Sequence, residues 1–256
     1  MTTVATHART AVQAAVLTPE RRVTFAFLIT GFLAVLVGAL IGTLQAFNYG
    51  NINLYDYFPV LQSYYQGLTL HGVLNALVFT TYLNAAILLY FPAREMNVKM
   101  NMPFVWTTYG VMTGGLAMAG VAILANTSNV LYTFYPPLSG HWGFYLGLAL
   151  VVVASLMVAY ETLRMRAVFK REHPDQVTPI VTYMAVMTSL MWMLASVGIV
   201  VEVVVFLLPW SMGLIPGVDP GLARTLFWWT GHPIVYYWLL PAYISWYAFI
   251  PKQVGG

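Results

Sequence analysis

Residues 23–47 read VTFAFLITGFLAVLVGALIGTLQAF, twenty-five residues without a single charged side chain. As a helix at 1.5 Å per residue the run is about 37 Å long, and roughly 20 apolar residues are enough to cross the hydrocarbon core of a bilayer. Lipid offers the backbone no hydrogen-bond partner outside the segment, so only a helix can satisfy every N–H and C=O within it. The stretch predicts a transmembrane helix. Five more segments read the same way, at 64–91, 104–125, 142–160, 180–208 and 221–250, all far too long for buried strands.

Composition leads to the same class from the other direction. Of 256 residues, 60% are hydrophobic and 7% charged, against about 25% charged in an ordinary soluble domain. A water-soluble fold of this size could not cover itself with so little charge. The expected fold is therefore all-α, one polytopic transmembrane bundle of six spans over residues 1–256, with no repeat of fixed period, no low-complexity tract and no soluble domain.

Positive charge orients the bundle, because Lys and Arg collect on the cytoplasmic side. Arg9, Arg21 and Arg22 precede the first span, Arg94 and Lys99 follow the second, Arg164, Arg166, Lys170 and Arg171 follow the fourth, and Lys252 follows the sixth. The loops at 48–63, 126–141 and 209–220 contain neither residue, and Arg224 is the one basic side chain on the other side. Both termini are expected in the cytoplasm, with residues 1–20 a tail rather than a cleavable signal. The net charge of +3 is accounted for by these loops and calls for no nucleic acid. The outer loops, FNYGNINLYDYFP and NTSNVLYTFYPPLSG, fit either an aromatic belt at the membrane interface or a surface that receives another subunit.

Zero cysteines exclude disulfides, thiolate metal sites and iron–sulfur clusters. Any metal must be held by histidine or oxygen. Ionisable groups inside a span are costly and are functional candidates by default, which selects His71, Glu202, Arg224 and His232. Glu202, six residues before Leu208, is expected to approach the outer surface, and Arg224 to snorkel from the first turn of its span. Glu161 and Arg164, three residues apart, read as an interfacial helix pair. His141, at a helix start, and His7 and His173, in polar segments, read as solvated.

His71 lies about two turns, roughly 10 Å, into the second span. Gly67 and Gly72 flank it and would admit a flat group or another helix. An imidazole there is either a metal or haem ligand or a histidine hydrogen-bonded between helices.

His232 lies about three turns into the sixth span, in FWWTGHPIVYYWLLPAYISWY, residues 227–247. Pro233 and Pro241 remove backbone donors and free the carbonyls of Trp229 and Tyr237, bending the helix. At about 100° per residue, Tyr236 falls some +40° from His232, Tyr243 +20°, Tyr247 +60° and Tyr237 +140°. Three of the four tyrosines share the face of the histidine. Such a stripe suits a proton relay, because a phenol donates and accepts, and equally an aromatic packing face.

TGHPIVYYWLLP resembles a signature of subunit I of the haem–copper oxidases, terminal enzymes that reduce dioxygen to water and pump protons. The similarity continues through SYYQGLTLHGVLNALVF, VLYTFYPPLSGHWGFYLG, VTPIVTYMAV and GVDPGLARTLFWWTGHPIVYYWLLPAY, all like the B-family found in thermophilic bacteria and archaea. The larger A-family carries GHPEVY where this chain has Ile234, and DMAFPRxNN where it has REMNVKMNMP.

The resemblance implies that His71 is one of two axial ligands of a low-spin haem b, and His232 one of three histidines on copper B, facing a high-spin haem of the a or related type. It implies that Tyr236 is the tyrosine covalently linked to the copper-ligand histidine, that Tyr236, Tyr243 and Tyr247 mark the K-type proton path, and that Trp228 and Trp229 pack near the centre. It implies a prokaryotic cell membrane, a subunit II with a copper A centre, and a cytochrome c or similar donor. Nitric oxide reductases of the same superfamily lack the linked tyrosine. A secondary transporter should show inverted repeats, and a purely structural subunit leaves two deep histidines unexplained. Family members have twelve or more spans and carry the remaining ligands in their second half, so the chain is expected to be the N-terminal half of a larger subunit I.

Overall fold

The computed structural model describes residues 18–255, and among these every regular element is helical. His7 and Arg9 lie outside the described residues. Helix α1 is Pro19–Tyr49, α2 Tyr64–Met96, α3 Met102–Leu124, α4 Trp142–Glu172 and α5 Ile180–Ser211, and these five are long and apolar enough to cross a membrane. Two further helices, α6 at Pro220–Gly231 and α7 at Pro233–Gln253, complete the chain.

The helix starts follow from side-chain caps that take up N–H groups the helix leaves unpaired. Thr18 accepts from Arg21 N, Asn101 from Phe104 N, His141 from Gly143 N and Asp219 from Leu222 N. Pro19, Pro103 and Pro220 occupy early helical positions, where a missing donor costs nothing. Helix α2 ends at Asn97, whose φ of 54° is the left-handed conformation that closes a helix.

Packing follows from which face each helix hides. Helix α1 buries Val23, Phe27, Gly31, Ala34, Gly38, Ile41 and Gln45, a stripe at spacings of three and four, and turns Phe25, Ile29, Phe32, Leu33, Leu36 and Leu40 outward. A membrane helix can afford that outer face because lipid is as apolar as leucine. Helices α3 and α4 approach closely through glycine: a Cβ on Gly115 would meet the Gly147 carbonyl at 2.5 Å, and one on Gly147 would meet the Gly115 carbonyl at 2.6 Å.

Three differences from the sequence reading have physical causes. Helix α4 runs to Glu172, twelve residues past the expected end of its span, because charged residues end the apolar run without ending the helix. Glu161 is fully buried there, accepting from Arg164 Nε and Nη2 at 2.6 and 2.7 Å and from Asn101 N at 2.7 Å. The pair thus fastens the α2–α3 connection to α4 as well as linking two turns of one helix. Second, the expected sixth span is divided at His232, which ends α6 and begins α7; Pro233 has no N–H, and His232 N reaches Trp228 O at only 3.5 Å. Neither piece is among the five long apolar helices. Third, α2 and α5 are wound as π-helix over Val73–Phe79 and Glu202–Leu207, features common at functional sites and without a signal in the sequence.

Candidate functional site

His71 sits in the turn before the π segment of α2 and is held by α1. Its Nδ1 lies 2.7 Å from the Gly38 carbonyl, which can only accept, so Nδ1–H donates and Nε2 has no hydrogen-bond partner among the described residues. Asn75, one turn on, packs against the ring with its Nδ2 3.0 Å from the same Nδ1, a contact between two donors in this tautomer, so the Gly38 carbonyl alone orients the ring. The approach is possible only because α1 presents glycine: a Cβ on Gly42 would meet His71 Cε1 at 2.6 Å, and one on Gly38 would meet the Asn75 amide at 2.6 Å. Such a backbone acceptor fixes the tautomer and aim of a ligating histidine. The two glycines singled out in the sequence serve differently. Gly67 makes room for Gln45 and Tyr55, and Gly72 for the Tyr132 ring, so both admit protein side chains. Gly38 and Gly42, 33 and 29 positions earlier in the chain, were invisible to a local reading.

His232 is exposed at the junction of α6 and α7. Its Nε2 is 3.1 Å from the Tyr236 hydroxyl, and the two rings stand edge to face with centroids 5.2 Å apart. The i, i+4 spacing of a helix creates this contact. With Nε2 turned toward the phenol, Nδ1 is the nitrogen available to a metal. Tyr236, Tyr243 and Tyr247 are all exposed, at 48%, 38% and 61%, whereas Tyr237 is 1% exposed. This exposure pattern agrees with the angular arithmetic in that the three tyrosines expected on the histidine's face turn outward with it and Tyr237 turns inward. No hydrogen bond joins the three exposed tyrosines to one another; what they share is a face.

Tyr237 has a different task. Its ring stacks on Trp192 of α5 with centroids 4.4 Å apart and planes 18° from parallel, and Trp192 Nε1 donates to Ser155 Oγ of α4 at 2.8 Å. Its backbone carbonyl, which Pro241 leaves unpaired, accepts from Asn84 Nδ2 of α2 at 2.9 Å. The face of α7 opposite His232 is therefore anchored to two other helices, α5 and α2, and through Trp192 indirectly to α4.

Trp228 and Trp229 are exposed beside this junction. Trp229 Nε1 donates to the Leu194 carbonyl at 3.5 Å. Trp228 neighbours Tyr135 in the loop before α4, whose phenol burial pushes up, an effect partly offset by a side-chain hydrogen bond with Trp228. An apolar cavity of about 140 Å³ lies at the α6–α7 junction, lined by Tyr132, Trp192, Gly231, Ile234, Val235 and Trp238 among others, with His232 outside its lining.

The other ionisable candidates are placed as follows. Glu202 is fully buried rather than near the surface, and neither carboxyl oxygen has a partner among the described residues; the π turn that begins at this residue and its packing against α4 and α6 turn it inward. Arg224 is exposed, as its place in the first turn predicts. His141 is exposed and caps α4, while His173 is half-buried, stacked on Phe169 at 5.0 Å, instead of being fully solvated.

Among the described residues no three His, Cys, Asp or Glu side chains converge in a metal site. The arrangement thus offers two separate single-histidine ligands, each with one nitrogen oriented by a neighbour and the other free.

Comparison with known proteins adds a family to this geometry. The family model for cytochrome C and quinol oxidase polypeptide I matches residues 22–256. Cytochrome c oxidase subunit 1 of Thermus thermophilus is 55% identical over 242 residues, which cover 93% of this chain and 43% of that protein. A solved chain of a heme-copper terminal oxidase dimer superimposes with a TM-score of 0.85 at 37% identity, covering 91% of this chain and 40% of that one. The chain therefore spans less than half the length of either relative.

Proposed function

The chain belongs to the cytochrome c and quinol oxidase polypeptide I family, and on that footing we propose that it forms one wall of the catalytic subunit of a respiratory oxidase that reduces dioxygen to water with coupled proton pumping. The observation that carries the reading is the His232–Tyr236 contact: a histidine with one free nitrogen, and a phenol 3.1 Å from the other, both on an exposed helix face.

In this account His71 Nε2 would hold the iron of a low-spin haem b together with one further ligand, and His232 Nδ1 would hold copper B together with two further histidines. The residues fit these groups. A Gly38-held imidazole presents a bare nitrogen, and the exposed α7 face leaves room beside His232 for a high-spin haem of the a or related type. When bound, the haem–copper pair supplies electrons to split dioxygen. The chain's own contribution is to aim the two histidines and to hold a proton at the Tyr236 oxygen beside the metal. Tyr247 and Tyr243 lead protons toward that oxygen along the shared face, and Trp228 and Trp229 wall the centre. The cavity at the α6–α7 junction is apolar, the right chemistry for an uncharged diatomic.

One histidine per site is too few, so the remaining ligands come from the rest of subunit I, in a bundle of twelve or more spans with six in this chain and both of its ends cytoplasmic. Ile234, where the A-family has glutamate, supports a B-family assignment. Partners are a subunit II with a copper A centre, a cytochrome c-type donor and the lipid of a prokaryotic cell membrane. The test is Tyr236→Phe in the complete enzyme: both haems are retained and oxygen consumption is lost. Normal turnover of that variant would refute the role given to the phenol.

A further inference from the structure

Tyr236 makes a single hydrogen bond among the described residues, to His232. Being 48% exposed, it has little side-chain packing to hold it there. Its position is therefore set by the backbone of α7, and that backbone has a weak point. Pro241 cannot donate to the carbonyl four residues earlier, so the carbonyl of Tyr237, in a residue 1% exposed, would be a buried orphan within its own helix.

The missing donor comes from another helix. Asn84 of α2 is itself only 2% exposed, and its Nδ2 donates to the Tyr237 carbonyl at 2.9 Å. Helix α2 is the one that carries His71. Between His71 and Asn84 lies the π segment Val73–Phe79, whose extra residue turns the following helix by about 100° relative to an unbroken α-helix. Helix α2 thus offers His71 beside α1 at one level and Asn84 to α7 at another.

Resting on the function proposed above, we propose that Asn84 is a positioning residue: by pairing the carbonyl that Pro241 frees, it fixes the turn of α7 that aims Tyr236 at His232. Without the amide, that carbonyl gains a donor from α7 only if the helix shifts about Pro241 to bring another N–H to it, such as that of Ala242. That shift displaces the preceding turn, which contains Tyr236. The Tyr237–Trp192 stack limits the motion without supplying the donor.

The test uses the complete membrane enzyme with Asn84→Leu, which keeps the size and removes the donor, and the double variant Asn84→Leu with Pro241→Ala, which returns an intrahelical N–H to the Tyr237 carbonyl but removes the proline bend. Haem content, oxygen turnover and the infrared stretch of carbon monoxide transferred by light to the copper are measured in each. In every variant that assembles with both haems, the expected result is a shifted or broadened carbon monoxide band and turnover about 10- to 100-fold lower, the scale of a small misplacement of a reacting group. A native band and native turnover in Asn84→Leu would overturn the proposal. So would a failure of Asn84→Leu to assemble that the double variant cures with a native band, or failure of both to assemble, because Asn84 would then only satisfy a buried carbonyl. Absence of the band in the unmodified enzyme would instead count against the haem–copper function itself.

Discussion

Tyr237 lies flat on Trp192, ring centroids 4.4 Å apart, and this contact decides which of two adjacent tyrosines of α7 is free to serve His232. A helix separates neighbouring side chains by about 100°, so locking Tyr237 inward turns Tyr236 outward. The two phenols therefore differ in kind: one oxygen meets His232, and the other is buried with no partner among the described residues.

That contrast gives the first prediction. If His232 holds the metal as proposed, Tyr236→Phe removes the proton-bearing oxygen beside it and lowers turnover by about 100-fold or more, the range for a lost acid–base group. Tyr237→Phe keeps the stacked ring and removes only an unpartnered hydroxyl, so turnover stays within about twofold and stability is unchanged or slightly improved. Oxygen-electrode assays on the two variants, prepared side by side, check both halves.

The glycine cradle of His71 gives the second. Gly42→Ala places a methyl 2.6 Å from His71 Cε1, with the Gly38 carbonyl limiting where the ring can go. The expected outcome is loss or a marked shift of the low-spin haem band in the reduced-minus-oxidised spectrum. Gly114→Ala on α3 is the control, because a Cβ there meets nothing within 4 Å. It leaves the spectrum intact and stabilises α3 by about 0.5–1 kcal/mol.

The third concerns Glu161 and Arg164. Glu161 is 1% exposed at its side chain and Arg164 27%, so deleting either partner leaves a different residue behind. Arg164→Ala strands a buried carboxylate and costs about 3 kcal/mol or more. Glu161→Ala strands a cation that can still reach water and costs about 1–2 kcal/mol. Unfolding titrations in mixed detergent and dodecyl sulfate should rank the two in that order; equal costs would contradict the burial asymmetry.

The fourth addresses orientation. The chain has no cysteine, so single cysteines report cleanly. Asp175→Cys, between α4 and α5, is expected to react with an impermeant maleimide only from the cytoplasmic side, and Asp56→Cys, between α1 and α2, only from the outer side. Labelling of intact spheroplasts against inverted vesicles checks both positions.

Much of this was legible in the sequence because it follows from period and composition. Five apolar runs became five long helices, and the face shared by His232, Tyr236, Tyr243 and Tyr247 came from helical arithmetic. What escaped depends on contacts distant in sequence. Nothing near His71 points to Gly38 and Gly42, and nothing near Pro241 names Asn84 as the donor for its orphaned carbonyl. The burial of Glu202 does not follow from its distance to a helix end, because burial depends on what packs around it. The two π segments have no compositional mark, since an extra residue in a turn is a matter of tertiary accommodation. The break at His232 was half legible: Pro233 forecast a bend, and the structure makes it the boundary between two helices.

The central claim is that this chain gives one histidine to each of two separate metal centres. It is tested most directly by haem and copper analysis of His71→Ala and His232→Ala in the complete enzyme. The account predicts that His71→Ala loses the low-spin haem and keeps copper, while His232→Ala loses copper and keeps the low-spin haem. Full retention of both groups in either variant would contradict it.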